Sequence, residues 1–367
     1  MDKLNICLVS LTIAPDSQDG AGKFFRGIFD YLRRQGHNVK LITGKWNTDL
    51  SDPDIKQFDL IPRRFLWAPQ FILKAVKYIN SHNFDIFHGN APKGTLPIIL
   101  SNKKKFITTI HDLGPFETTF TKIPIERYLI KIASQRATII STDTDFIKKE
   151  ISYFMPKIDL EKIYIHYVGI EDKFKPYPRE AKILKKKLNI EGPVLLYIGR
   201  IAFYKGVDDI IAAYKIAKKS IPSLNLVIGG MPDFKMERKY EEWKAKYKDV
   251  HFIGFVREQE LPHYYTMGDI FITYSYASEG FGLTPVEAIA CGTPVICSSM
   301  IAYKEILKDN AIFVPPKSPN QLAKEIVNLL ENKSNVKSLV EKAQNFIKKY
   351  TWDSVGKKLE KIYSKLL

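Results

Sequence analysis

Glu279 and Glu287 flank the run Gly280-Phe281-Gly282-Leu283-Thr284-Pro285 in a Glu-x7-Glu spacing. Ionised carboxylates only accept hydrogen bonds, from a ligand or from the protein's own backbone. Gly280 and Gly282 let backbone approach a ligand closely. Thr284 suits an N-cap, Pro285 the first helical position and Gly292 a helix stop, so a helix is expected to open inside the motif. Its first turn would present free N–H groups and the positive end of a helix dipole, which suits an anion. The same letters carry a second reading, since Thr284-x-x-Glu287 is also a capping box in which Glu287 only satisfies backbone donors. Spacing alone leaves both open.

Arg200 and Lys205 follow the continuous apolar run Val194-Leu195-Leu196-Tyr197-Ile198. A guanidinium fork with an ammonium beside it can stabilise negative charge on a phosphate. The competing reading is a pair of solvated loop residues. Their place just beyond a central strand, where doubly wound sheets bind ligands, favours the first. His111 and Asp112 end another predicted strand, and a histidine there serves either the structure or a ligand.

Alternating elements must position these groups. Strands are predicted at 6–9, 39–42, 86–88, 106–109 and 138–140, with a loop ending Gly20-Ala21-Gly22 and a helix from Lys23 to Arg34. The pattern restarts with strands at 194–198, 224–228, 251–253, 270–273, 294–297 and 311–314. Val207, Ile210, Ile211 and Tyr214 mark a core-facing helix between the first two of these. Strands alternating with helices indicate an α/β fold with parallel sheets. The prolines of Phe174-Lys175-Pro176-Tyr177-Pro178 suit a hinge. An N-terminal Rossmann-like domain is expected over 1–172 and a second over 173–345. A terminal helix over 346–367 should pack back on the first. The two domains are expected to face a central cleft.

Taken together, these segments resemble retaining glycosyltransferases of family four, with the GT-B fold. The resemblance runs over nearly the whole chain, in order: Gly20-Ala21-Gly22, Thr109-Ile110-His111-Asp112, Gly199-Arg200 with Lys205-Gly206, Gly229-Gly230, the two glutamates, and Gly292-Thr293-Pro294-Val295. It implies transfer of a hexose-type sugar from a nucleoside-diphosphate sugar to a glycan or lipid-linked acceptor. Carried over, Glu279 holds donor-sugar hydroxyls and Glu287 the ribose. Amides of Phe281, Gly282, Leu283 and Thr284 contact sugar and diphosphate, Phe255 lines the base pocket, and Gly22 approaches the diphosphate. Arg200 and Lys205 stabilise the leaving phosphate in place of a metal, and His111 contacts a sugar hydroxyl near the reacting carbon. No cofactor is implied beyond the nucleotide-sugar substrate. The sequence Tyr167-Val168-Gly169-Ile170-Glu171 departs from the family's Asn-Gly-Val-Asp and leaves the hinge contact open.

Composition narrows the alternatives. Lys and Arg number 56 against 40 Asp and Glu, a net +16 that favours anionic partners. No nucleic-acid-binding signature accompanies it, so nucleic acid is not expected as a partner. Cys7, Cys291 and Cys297 form no cluster for zinc or a disulfide framework. The segment Leu4–Ala14 reads as a strand rather than a signal peptide, and a cytoplasmic protein is expected. A nucleotide-sugar epimerase on the same fold is the alternative enzyme. Arg63–Lys77 mixes cations with large apolar residues and can dock on an anionic membrane surface, with Phe65, Pro69, Ile72 and Val76 as its apolar stripe. An ordinary core-facing helix has the same letters.

Overall fold

The computed structural model describes residues 3–16, 20–61, 63, 66–116, 124–277 and 279–367, so Arg64, Phe65 and Ser278 lie outside the described residues. The chain divides into two compact units, Met1–Gly169 with Tyr350–Leu367, and Ile170–Lys349.

In the first unit, seven parallel strands are described: β1 (Asn5–Val9), β2 (Asn38–Lys45), β3 (Ile55–Asp59), β4 (Ile86–Asn90), β5 (Ile107–Ile110), β6 (Ile139–Thr142) and β7 (Ile163–Ile165). Their order is β3-β2-β1-β4-β5-β6-β7. Central β1 is buried from Ile6 to Val9, as a strand covered on both faces must be. Strands β3 and β7, both at sheet edges, have no counterpart among the strands predicted from the sequence. Only Ile55 and Phe58 are buried in β3, and β7 is three residues long, so neither carries an apolar run to announce it.

The second unit repeats the plan with β8 (Val194–Ile198), β9 (Asn225–Gly229), β10 (Val250–Gly254), β11 (Ile270–Thr273), β12 (Val295–Ser298) and β13 (Ile312–Val314). All are parallel, in the order β10-β9-β8-β11-β12-β13. Each sheet changes its direction of growth once, between β1 and β4 and between β8 and β11. Loops leaving the two strands at such a point turn to opposite faces and open a crevice at their carboxyl ends.

The C-terminal helix Trp352–Ser364 belongs to the first unit. A Cβ on Gly27 would lie 1.8 Å from the Trp352 indole and one on Gly169 2.5 Å from it, so the ring sits where side chains are missing. Phe24 stacks beside it at 5.9 Å. Glu360 takes the Tyr31 hydroxyl at 2.9 Å, and the Tyr363 hydroxyl meets His88 at 2.8 Å in the core. Among the described residues no helix is long and apolar enough to cross a membrane.

Candidate active site

The switch point of the second sheet gathers the chemistry. From the end of β8 comes Gly199–Gly206, and from the end of β11 comes the segment reaching Glu279. The Lys205 ammonium forms an ion pair with Glu279 Oε1, which also accepts the Ser275 hydroxyl. Glu279 is only 8% exposed, so its charge is held by these partners rather than by water. Arg200, exposed beside them, is fixed by Nη2 donating to the Tyr204 hydroxyl at 2.6 Å.

Backbone holds the loops in place. The Tyr276 amide donates to the Tyr204 carbonyl at 2.7 Å, tying one loop to the other. Gly206 has φ +63°, and a Cβ there would stand 2.3 Å from the Tyr274 carbonyl oxygen. At Gly230, φ is +128° and a Cβ would fall 1.9 Å from the Gly199 carbonyl, so only glycine lets these segments cross.

The helix of the glutamate motif spans Leu283–Ala290 and starts earlier than its letters suggest. Its N-cap is Gly282 at φ +75°, with no side-chain cap, rather than Thr284. A Cβ on Gly282 would lie 2.5 Å from the Tyr303 ring, so tertiary packing chooses the start. Glu287 then sits too far along for a capping box, which pairs the N-cap with the third helical residue. Its carboxylate is buried and accepts the Tyr265 hydroxyl at 2.8 Å. Gly292 ends the helix as expected. Its amide bonds Ile289 O at 2.9 Å and that of Thr293 bonds Ala288 O at 3.0 Å, a Schellman arrangement. Phe281 is buried, while Phe255, just past β10, is 57% exposed.

In the first unit His111 lies just past the carboxyl end of β5, one strand beyond the switch point. Its Nδ1 faces the Asp143 carboxylate at 2.9 Å and its Nε2 the Asn90 carbonyl oxygen at 2.9 Å. The amide of Asn90 is oriented by Ser10, whose hydroxyl donates to Thr12 O at 2.6 Å and so accepts from Asn90 Nδ2 at 2.8 Å. Both ring nitrogens therefore face acceptors within the first unit, and these contacts fix the plane of the ring. Asp143, not the adjacent Asp112, orients the histidine; Asp112 accepts the Gly114 amide at 2.9 Å, and burial pushes its carboxyl up. His166 stacks on Phe24 at 4.3 Å, and burial holds it down at about 4. Gly22 lies in the first turn of a helix beginning at Gly20, where a loop was expected.

Residues 18–174 match the family described as Glycosyltransferase Family 4, and residues 179–349 match Glycosyl transferases group 1. An uncharacterized glycosyltransferase of Methanocaldococcus jannaschii is 32% identical over 98% of each chain. The chain belongs to glycosyltransferase family four. It is a glycosyltransferase enzyme built from two Rossmann-like domains of the GT-B class. The alpha-monoglucosyldiacylglycerol synthase of Acholeplasma laidlawii is 24% identical over 92% of this chain and 91% of its own. The crystal structure of Anabaena HepE with UDP and glucose shares the fold, with a TM-score of 0.82 at 18% identity over 98% and 99% of the two chains.

Asn90 and Asp143 in the first unit of this glycosyltransferase, and Ser275, Tyr303 and Tyr204 in the second, have no counterpart among the residues that the sequence singles out. Asn90 closes β4, and Ser275 lies just beyond β11. A rule naming polar residues at the carboxyl ends of strands beside a switch point would have found both. Asp143 reaches His111, and Tyr303 reaches Ser275, from about thirty positions away in the chain, which no local pattern signals.

Proposed function

We propose that this enzyme is a retaining hexosyltransferase that takes its sugar from a nucleoside-diphosphate sugar and delivers it to a glycan or lipid-linked acceptor. The observation that carries this reading is the pairing of Lys205 with Glu279 at the switch point of the second sheet. A cation suited to a diphosphate and a carboxylate suited to sugar hydroxyls share one crevice there. Breaking the sugar–phosphate bond leaves charge on the departing diphosphate, and Arg200 and Lys205 stabilise it as it develops. Glu279 holds sugar hydroxyls and Glu287 the ribose. Amides of Phe281, Gly282, Leu283 and Thr284 contact sugar and diphosphate at the start of their helix, and exposed Phe255 lies against the base. For the first unit the reading gives His111 a hydrogen bond to a sugar hydroxyl and Gly22 a phosphate approaching its helix start. Retention follows from attack on the face the phosphate leaves. The complex of HepE with UDP and glucose supports a donor of this class.

A screen of nucleotide sugars for thermal stabilisation tests the reading. A donor at about one hundred times its Kd adds about 2.7 kcal/mol of stability and raises the melting temperature. Glu287→Gln keeps an acceptor for Tyr265, so its unliganded melting temperature should stay near the parent's while the donor-induced rise shrinks. If no nucleotide sugar stabilises the enzyme, the donor assignment is wrong. An undiminished rise in Glu287→Gln would return that residue to a structural role.

A membrane surface is proposed as the place of work, supported by the lipid product named for the Acholeplasma relative. The helix Trp67–Asn80 buries Phe71, Ala75 and Ile79, a different stripe from the one expected. It leaves Leu66 and Leu73 exposed beside Lys74 and Lys77. The Lys74 ammonium also donates to Asp59 O at 2.6 Å. The enzyme should sediment with anionic vesicles at low salt and leave them at about 1 M salt, where the Debye length is about 3 Å. Replacing Arg63, Lys74 and Lys77 by glutamine should weaken sedimentation and spare donor binding. Unchanged sedimentation would move the surface elsewhere.

A further inference from the structure

A cavity of about 250 Å3 opens in the first unit beside His111. It lies between the helices Ala91–Leu100 and Pro124–Arg136, at the carboxyl end of β5. Ile110, Pro115, Leu129 and Ile130 make one wall apolar. Polar side chains on the lining are His111, Asp112, and the Lys93 ammonium that faces Glu126 at 3.5 Å across the helices. A mostly apolar cavity with few fixed polar groups is the usual form of a site for a small organic ligand.

The Pro124–Arg136 helix continues the apolar wall outwards. Ile125 stands one turn before Leu129 and next to Tyr128 on the helix surface. These two side chains are 63% and 62% exposed, although burial would favour both. An apolar path therefore runs from the cavity wall to solvent. A free sugar or a polar glycan, hydrated all round, would gain nothing from that path. An alkyl or acyl chain attached to a hydroxyl-bearing head would lose water along its length.

We infer that this cavity takes the acceptor, and that the acceptor is an amphiphile: a hydroxylated head among His111, Lys93 and Glu126, with an apolar tail over Leu129, Ile125 and Tyr128. The inference rests on the reading of the enzyme as a transferase to a glycan or lipid-linked acceptor, and chooses between those two. In the enzyme labelled at isoleucine δ1-methyls, n-octyl β-D-glucoside below its micelle concentration should shift Ile110, Ile125 and Ile130, while glucose leaves them in place. A zwitterionic octyl detergent without hydroxyls should bind at least about tenfold more weakly, because its quaternary ammonium has no N–H or O–H to donate to the Glu126 carboxylate. Leu129→Glu should abolish the octyl glucoside shifts and keep its thermal response to the donor, which shows that the variant is folded. Glucose acting as strongly as octyl glucoside would overturn the inference in favour of a soluble acceptor. Equal binding of the zwitterionic detergent would overturn the head-group site, and silent methyls would overturn both. Absence of any donor response with the methyl shifts intact would sink the donor reading and leave the cavity's role standing.

Discussion

Arg200→Ala or Lys205→Ala should lower turnover by about two to three orders of magnitude, the scale set by removing one stabiliser of developing charge. The loop that presents the two cations is held by contacts that neither side chain makes. The Tyr197 hydroxyl donates to the Arg200 carbonyl at 2.9 Å, and the Lys205 amide bonds Ala202 O at 2.9 Å. Both variants should therefore fold. Their stabilities should differ, because Lys205 is the counter-ion of a buried carboxylate and Arg200 is exposed beside Tyr204. Lys205→Ala removes the counter-ion of the buried Glu279 carboxylate and should show the lower denaturant midpoint. Since both cations act on the same leaving charge, the double variant should lose less than the product of the two single losses. Lys205→Arg should not restore full activity, because a planar fork cannot take the ammonium's place against Glu279. Normal turnover in both single variants, in an assay with a confirmed donor, would remove the leaving-group role from this loop.

What the sequence disclosed follows from where its physical signals are local. Central strands such as β8 and β11 are buried on both faces, so they appear as unbroken apolar runs and were found to within a residue or two. Edge strands β3 and β7 carry no such run and were missed. In the candidate site, the Glu-x7-Glu spacing and the Arg200–Lys205 loop are local patterns, and both pointed to one end of the second sheet. The helix starts at a position that its local letters do not favour. Thr284 is a better capping residue than Gly282, but the Tyr303 ring occupies the space where a side chain at 282 would go. His111 was found and its orienting group was not, since Asp143 reaches it from the end of β6, beyond the range of any motif.

Glu279→Gln should separate recognition of the sugar from recognition of the diphosphate. Glutamine has nearly the same shape and keeps an acceptor for the Ser275 hydroxyl, so the segment after β11 should hold its path. The substitution removes the charge that engages Lys205 in the unliganded enzyme. A nucleoside diphosphate without sugar would then meet a cation already released, and should bind as tightly as before or more tightly. The intact nucleotide sugar has the opposite balance. Its hydroxyls lose an ionised acceptor, and hydrogen bonds to charged groups contribute about 1.5–3 kcal/mol, which is roughly a ten- to 150-fold loss of affinity. Titration calorimetry on parent and variant, with the nucleotide that the thermal screen selects, gives both affinities. The expected result is a crossing: the parent prefers nucleotide sugar, and the variant loses or reverses that preference. Equal weakening of both ligands would mean that Glu279 only shapes its loop. No change in either would take the carboxylate out of the donor site, and with it the pairing on which the proposed chemistry stands.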